Sequence, residues 1–229
     1  MPTLVIGNKL YSSWSLRPWL LLRQLGIAFE EVLIPLDQSD TKARILERSP
    51  AGKVPVLIED DGIAVWESIA IMEHVADTRP DLPVWPADRA ARALARSVAS
   101  EMHAGFGALR SACPMNLGKS FPTRDRGEAV ARDVARVTAI WREARERFGV
   151  GGPFLFGAFS AADAMYAPVV TRLDTYAIPV DPVSRAYMEA ILGLPAFRDW
   201  REAALDEAWV LAHDEVDEEP TEIFRRVAP

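Results

Sequence analysis

The segment Arg79-Pro80-Asp81-Leu82-Pro83-Val84-Trp85-Pro86-Ala87 sets the strongest limit on how this chain folds. Pro80, Pro83 and Pro86 fall within seven residues. Proline lacks a backbone N–H and fixes φ, so neither a helix interior nor a central strand can run through this stretch. It is the natural linker. Residues 1–78 lie before it and residues 88–229 after it, and the two sides follow different hydrophobic patterns.

Before the linker, strand and helix signals alternate. Thr3-Leu4-Val5-Ile6 is a short β-rich run. Ser15 to Leu25 is helical and stops at Gly26. Phe29 to Leu36 reads as a second strand and Thr41 to Arg48 as a short helix. Val54–Ile58 and Ile63–Trp66 flank Glu59-Asp60-Asp61-Gly62, a hairpin signal. Ser68 to Asp77 forms the next helix. The order β-α-β-α-β-β-α predicts a thioredoxin-like sheet.

After the linker the period is helical. Leu94, Val98, Met102, Gly105 and Leu109 recur at about one helical turn, as do Val130, Val134, Val137 and Trp141. One helix is expected from about Arg89 to Cys113. Gly149 to Pro153 breaks the chain. Ser160-Ala161-Ala162-Asp163 is a capping-box variant opening a helix to about Tyr176. Shorter helices are expected near Ser184–Leu192 and Ala196–Ala208, and 214–229 is expected to be irregular. The fold class is therefore α/β plus all-α: a thioredoxin-like N-terminal domain followed by a C-terminal helical bundle.

Composition narrows the function. Hydrophobic residues make up 49% of 229, enough for a sizeable core. The single cysteine, Cys113, excludes a disulfide framework and a cysteine-rich zinc site, and is expected to be a buried apolar residue. The net charge of −7 argues against nucleic acid as a partner. No apolar run approaches the roughly 20 residues of a membrane span. No basic stretch precedes an apolar one at the N-terminus, so a cytoplasmic location is expected. His74 and His213 show no partner pattern, and no metal motif appears.

Three segments hold candidate chemistry. Ser12, Ser13, Trp14 and Ser15 sit at a helix N-terminus, where free N–H groups and a partial positive charge favour an anion. Thioredoxin-like redox proteins place cysteines there. Serines in that position leave room for a thiol brought by a cosubstrate, although a serine there also suits a simple helix cap. Lys53-Val54-Pro55-Val56 offers a candidate cis bond whose Val54 backbone would pair with an extended ligand, with Lys53 free to meet a carboxylate. Glu67 and Ser68 open a helix without a capping box, so that Ser68 and the first-turn N–H groups suit a carboxylate and Glu67 the amino group beside it. An ordinary cap with an exposed Glu is the other reading. Together the three ends imply an elongated ligand with an amino-acid head, a peptide middle and a thiol.

The chain resembles the cytosolic glutathione transferases, in a bacterial-type, serine-dependent form. Ser12-Ser13-Trp14-Ser15-Leu16-Arg17 is similar to the zeta-class serine motif, and Ser49-Pro50-Ala51-Gly52-Lys53-Val54-Pro55-Val56-Leu57 to the cis-proline segment. Glu67-Ser68-Ile69-Ala70-Ile71 looks like the motif that holds the γ-glutamyl group, and Ser160–Asp163 like the family's C-terminal capping box. The resemblance implies glutathione as cosubstrate, no metal and a homodimer. Ser12 would contact the thiolate, with Ser13 in reserve and Trp14 beside them. Val54 and Pro55 would face the cysteinyl backbone, Lys53 the glycyl end, and Glu67 and Ser68 the γ-glutamyl end. Ionising a thiol of pKa about 8.5 at pH 7 needs a shift of about two units, or about 2.7 kcal/mol. One charge-assisted hydrogen bond (about 1.5–3 kcal/mol) with a helix terminus (about 0.3–1 kcal/mol) suffices. The resemblance implies thiolate attack on a small hydrophobic electrophile. Glutathione-dependent isomerisation of the maleylacetoacetate type and non-catalytic ligand binding are the alternatives. The zeta motif has Cys where this chain has Trp14, and an arginine-rich continuation where it has Pro18-Trp19. Met102, His103, Phe106, Arg110, Met115 and Asn116 are the candidate lining of the electrophile pocket, the apolar ones equally suited to the core.

Overall fold

The computed structural model describes residues 1–227. Strand β1 (Thr3–Ile6) is central to a four-stranded sheet of order β2-β1-β3-β4, with β2 (Glu30–Leu33), β3 (Val56–Ile58) and β4 (Ala64–Trp66). It runs parallel to β2, with Val5 opposite Val32, and antiparallel to β3, with Leu4 opposite Leu57. β3 and β4 form the expected hairpin. Gly62 sits at φ +88 and donates to Glu59 O at 2.9 Å, a backbone conformation that glycine tolerates without a steric penalty. Helices α1 (Ser13–Gln24), α2 (Thr41–Leu46) and α3 (Ser68–Thr78) complete the β-α-β-α-β-β-α order.

α1 begins two residues earlier than its sequence pattern suggests. Pro18 consequently lies in the second turn, where it cannot donate to the carbonyl of Trp14. The helix persists because its sides are covered: Leu16, Trp19, Leu20, Leu21 and Leu22 are all buried. Tertiary packing outweighs local propensity here.

Beyond the linker the described residues form α4 (Arg89–Ala104), α5 (Gly107–Ala112), α6 (Glu128–Phe148), α7 (Ala161–Thr175), α8 (Pro182–Leu192) and α9 (Pro195–Leu205). The single helix expected over 89–113 is interrupted. Gly105 is extended, a Cβ there would meet the Glu101 carbonyl at 2.8 Å, and Phe106 follows with φ +58. α7 is the central rod, buried along nearly its whole length and packed against α1 and α4. Asp163 fixes its start, accepting the Ser160 N–H at 2.8 Å and the Leu155 N–H at 3.0 Å. The segment expected to be irregular contains β6 (Glu222–Ile223), paired with β5 (Lys119–Ser120); residues 228–229 lie outside the described part.

Candidate active site

The loop from β1 to α1 is held from both sides. Ser15 Oγ accepts the Gly7 N–H at 3.0 Å. Glu207 accepts the N–H groups of Lys9 (2.7 Å) and Leu10 (3.1 Å), and Trp200 donates to Lys9 O at 2.9 Å. The chain therefore enters α1 on a fixed path. Among the described residues no side chain caps the helix; the Ser13 N–H is taken by Tyr11 O at 2.9 Å, which leaves the N–H groups of Trp14 and Ser15 available to a ligand.

The side chains of Tyr11, Ser12, Ser13 and Trp14, where the chain enters α1, differ in what they can offer. Tyr11 donates to Glu215 at 2.6 Å, and burial together with that carboxylate pushes its phenol pKa up. It holds the C-terminal segment rather than an anion. Ser12 donates to Ser15 Oγ at 2.8 Å. Ser13 Oγ accepts from Arg172 at 3.3 Å, which leaves its own hydrogen free. Trp14 is half-buried, with the Arg17 guanidinium 4.1 Å and the Arg110 guanidinium 4.9 Å from its ring.

Across from Trp14, the Val54–Pro55 bond is cis and Lys53 is exposed. At the start of α3, Glu67 has φ +67, a strained position for a residue with a side chain. It makes no cap, so the first-turn N–H groups of α3 are also unclaimed. Next to it, the Ser68 hydroxyl is buried and has no hydrogen-bond partner among the described residues. From the helical side, His103 reaches Glu67 at 3.5 Å and Trp14 edge-on at 5.2 Å.

These groups line one cleft of about 210 Å³: Trp14, Lys53, Val54 and Pro55, then Trp66, Glu67 and Ser68, and from the second domain His103 and Arg110. Trp66 was not anticipated. The Arg17–Trp14–Arg110 stack was also missed, although a charged Arg17 inside the apolar run Leu16–Leu22 was a visible signal. Neither Ser12 nor Ser13 is in the wall of the cleft; both precede Trp14 in the chain and are about nine-tenths buried.

The expected electrophile lining divides. His103 and Arg110 are in the cleft. Met102, Phe106 and Met115 are in the core instead. Met102 shares its buried helix face with Ala95, Val98 and Ala99, on the helix that packs against α7. Asn116 is buried and borders a separate cavity of about 640 Å³, together with Tyr11, Val210 and Val216. Cys113 is buried and its thiol pKa is raised to about 11 by burial, which removes it as a nucleophile. His74 and His213 pair with Glu59 and Asp37, away from the cleft. Among the described residues no cluster suits a metal ion, and no helix is long and apolar enough to cross a membrane.

A thioredoxin-like domain joined to an all-helical one, with a cleft between uncapped helix ends, defines a glutathione-transferase architecture. The sequence matches the family models for the glutathione S-transferase N-terminal domain over residues 11–78 and C-terminal domain over residues 127–203. The chain belongs to the glutathione S-transferase family. It is 26% identical over 189 residues to a probable maleylacetoacetate isomerase of Caenorhabditis elegans, covering 81% of this chain and 86% of that one. It is also 26% identical to glutathione S-transferase L1 of Arabidopsis thaliana over 207 residues, 88% of this chain and 79% of the relative. A Burkholderia glutathione transferase homolog, solved with bound glutathione, superposes with a TM-score of 0.67 at 24% identity, over 89% of this chain and 97% of that one.

Proposed function

We propose that this chain is a glutathione transferase that ionises the glutathione thiol at the N-terminus of α1 and directs it at a small electrophile. The observation that carries this reading is the pairing at the start of α3: a buried Ser68 hydroxyl without a partner, beside a strained Glu67, in the cleft wall. An unpaired buried hydroxyl is costly, and a ligand carboxylate supplies the missing acceptor. Glu67 meets the α-amino group beside that carboxylate. Val54 faces the cysteinyl unit and Lys53 the glycyl carboxylate. The sulfur then comes to Trp14 and the serines, where the α1 N-terminus and a serine hydroxyl stabilise the thiolate. The thiol proton leaves to solvent, the sulfur lone pair forms the new S–C bond, and the leaving group takes the displaced electron pair.

The chain works in the cytoplasm as a homodimer in this reading. Isomerisation is the second reading, favoured by the names of the relatives: besides the nematode protein, a maleylacetoacetate isomerase of Rhizobium meliloti is 39% identical over 97 residues, 40% of this chain and 45% of that one. Retention on immobilised glutathione, followed by assays with chlorodinitrobenzene and maleylacetone, tests both. Conjugation supports the first reading and turnover of maleylacetone alone the second. Absence of retention overturns both.

A further inference from the structure

Among the described residues, two arginines beside the serine segment are buried with no carboxylate in ion-pair contact. Lys9, another buried cation, has Glu31 at 2.6 Å; Arg17 and Arg172 have no carboxylate in ion-pair contact. Arg17 donates to the carbonyls of Ser13 (2.8 Å) and Met165 (3.1 Å). Arg172, on α7, donates to Pro168 O at 3.0 Å and to Ser13 Oγ at 3.3 Å, and its Nε is buried with no partner at all. Buried positive charge of this kind is destabilising unless something in the site uses it.

The partners of the two hydroxyls make the difference between the two candidate serines. Ser12 shares a hydrogen bond of 2.8 Å with a neutral hydroxyl, that of Ser15. Ser13 accepts from a cation and keeps its hydrogen. A hydroxyl whose oxygen is bound to a guanidinium is a stronger donor through the remaining O–H, because the two hydrogen bonds polarise each other.

We propose that Arg172 is a positioning residue for catalysis: it holds Ser13 Oγ as an acceptor, so that the Ser13 hydroxyl donates to the glutathione sulfur. This rests on the reading that glutathione binds in the cleft with its sulfur at α1. The thiol loses its proton to solvent, while Ser13 and Arg172 keep theirs. The groups facing Arg172 are Arg17 from α1, Arg110 and Cys113 at α5, Tyr176 after α7 and Asp214 from the C-terminal segment. Burial, then Arg110, lowers the Arg172 pKa to about 10, so it remains a cation at neutral pH.

The test is the pKa of the glutathione thiol bound to the full chain, followed by ultraviolet thiolate absorbance against pH. Ser13→Ala and Arg172→Gln should each raise it by about one unit, which from about 6.5 cuts the thiolate fraction at pH 7 about threefold. Glutathione affinity at pH 7 should fall by no more than about threefold, the part that the lost ionisation itself accounts for. The double variant should shift no further than Ser13→Ala alone, Arg172→Lys should recover part of the loss, and Ser12→Ala should raise the value less than Ser13→Ala does. If Arg172→Gln does not fold, Arg172→Lys with and without Ser13→Ala carries the same comparison. An unmoved pKa in Ser13→Ala, a rise in Ser12→Ala as large or larger, or additive shifts in the double variant would overturn the role of Arg172. A wild-type chain that binds glutathione without lowering its thiol pKa, or does not bind it, would overturn the underlying function as well.

Discussion

The Glu67 carboxylate and the His103 imidazole face each other at 3.5 Å across the boundary between the two domains. Burial is the main influence on His103 and lowers its pKa, against the opposing pull of Glu67 and with the help of Arg17 and Arg110. The imidazole is then neutral at pH 7, and Glu67 is left for the ammonium of a ligand. Protonation, which comes only below the ordinary histidine value of about 6.5, would create a competing cation. Affinity for S-methylglutathione, which has no thiol to ionise, should therefore be flat above neutrality and fall on acidification. His103→Gln should remove much of that fall, as calorimetric titrations across pH can establish.

Ser68 separates ligand binding from stability. Its hydroxyl has no partner in the free protein, so Ser68→Ala should leave the melting temperature unchanged or raise it. The same variant should weaken glutathione binding by about tenfold, the loss of one hydrogen bond to a charged group at about 1.4 kcal/mol. Thermal melts and calorimetry on one preparation report both; a destabilised Ser68→Ala protein would point to a structural hydroxyl.

Lys53 is exposed, and its contribution should be small and specific to one end of the tripeptide. Lys53→Ala should weaken glutathione by a few-fold, the scale of a solvent-screened pair at about 0.2–1 kcal/mol. It should have no effect on the glycyl monoethyl ester, which lacks that carboxylate charge. Equal losses for the two ligands would remove Lys53 from the glycyl end.

Asp163 supplies a pH test of the helical domain. Burial raises its pKa to about 6 despite the N–H groups of Leu155 and Ser160. The unfolded chain binds fewer protons at this residue, with a pKa near 3.9, so its contribution to stability is greatest below that value. It declines as pH rises towards 6. The stability difference between wild type and Asp163→Asn should shrink over that window, measured by urea unfolding at several pH values. A difference that grows with pH would contradict a raised pKa.

Much of this fold was legible because its signals are local. The β-rich run Thr3–Ile6, the Asp61-Gly62 turn, the prolines of 79–87 and the Ser160–Asp163 cap each act within a few residues. The interruption at Gly105 and Phe106 escaped the helical period because Met102 and Leu109 remain in phase with a continuous helix. β6 escaped because a two-residue strand has almost no pattern of its own. In the site, Glu67, Ser68, Lys53 and Val54 were visible from their places at helix and strand ends. Arg172 was not, since its contact with Ser13 joins residues 159 positions apart. Its one signal was a charge amid the small and apolar residues of Ala161–Thr175. The pocket lining failed for a related reason: spacing places Met102 and His103 on neighbouring faces, and only packing against α7 shows that one faces the core.

The most direct test is a crystal structure of the chain with reduced glutathione. The γ-glutamyl ammonium should meet Glu67, its carboxylate the Ser68 hydroxyl and the α3 N–H groups, and the sulfur should lie within hydrogen-bonding distance of Ser13. Glutathione seated elsewhere, such as the cavity beside Tyr11 and Val216, or bound with its sulfur turned away from α1, would contradict the account.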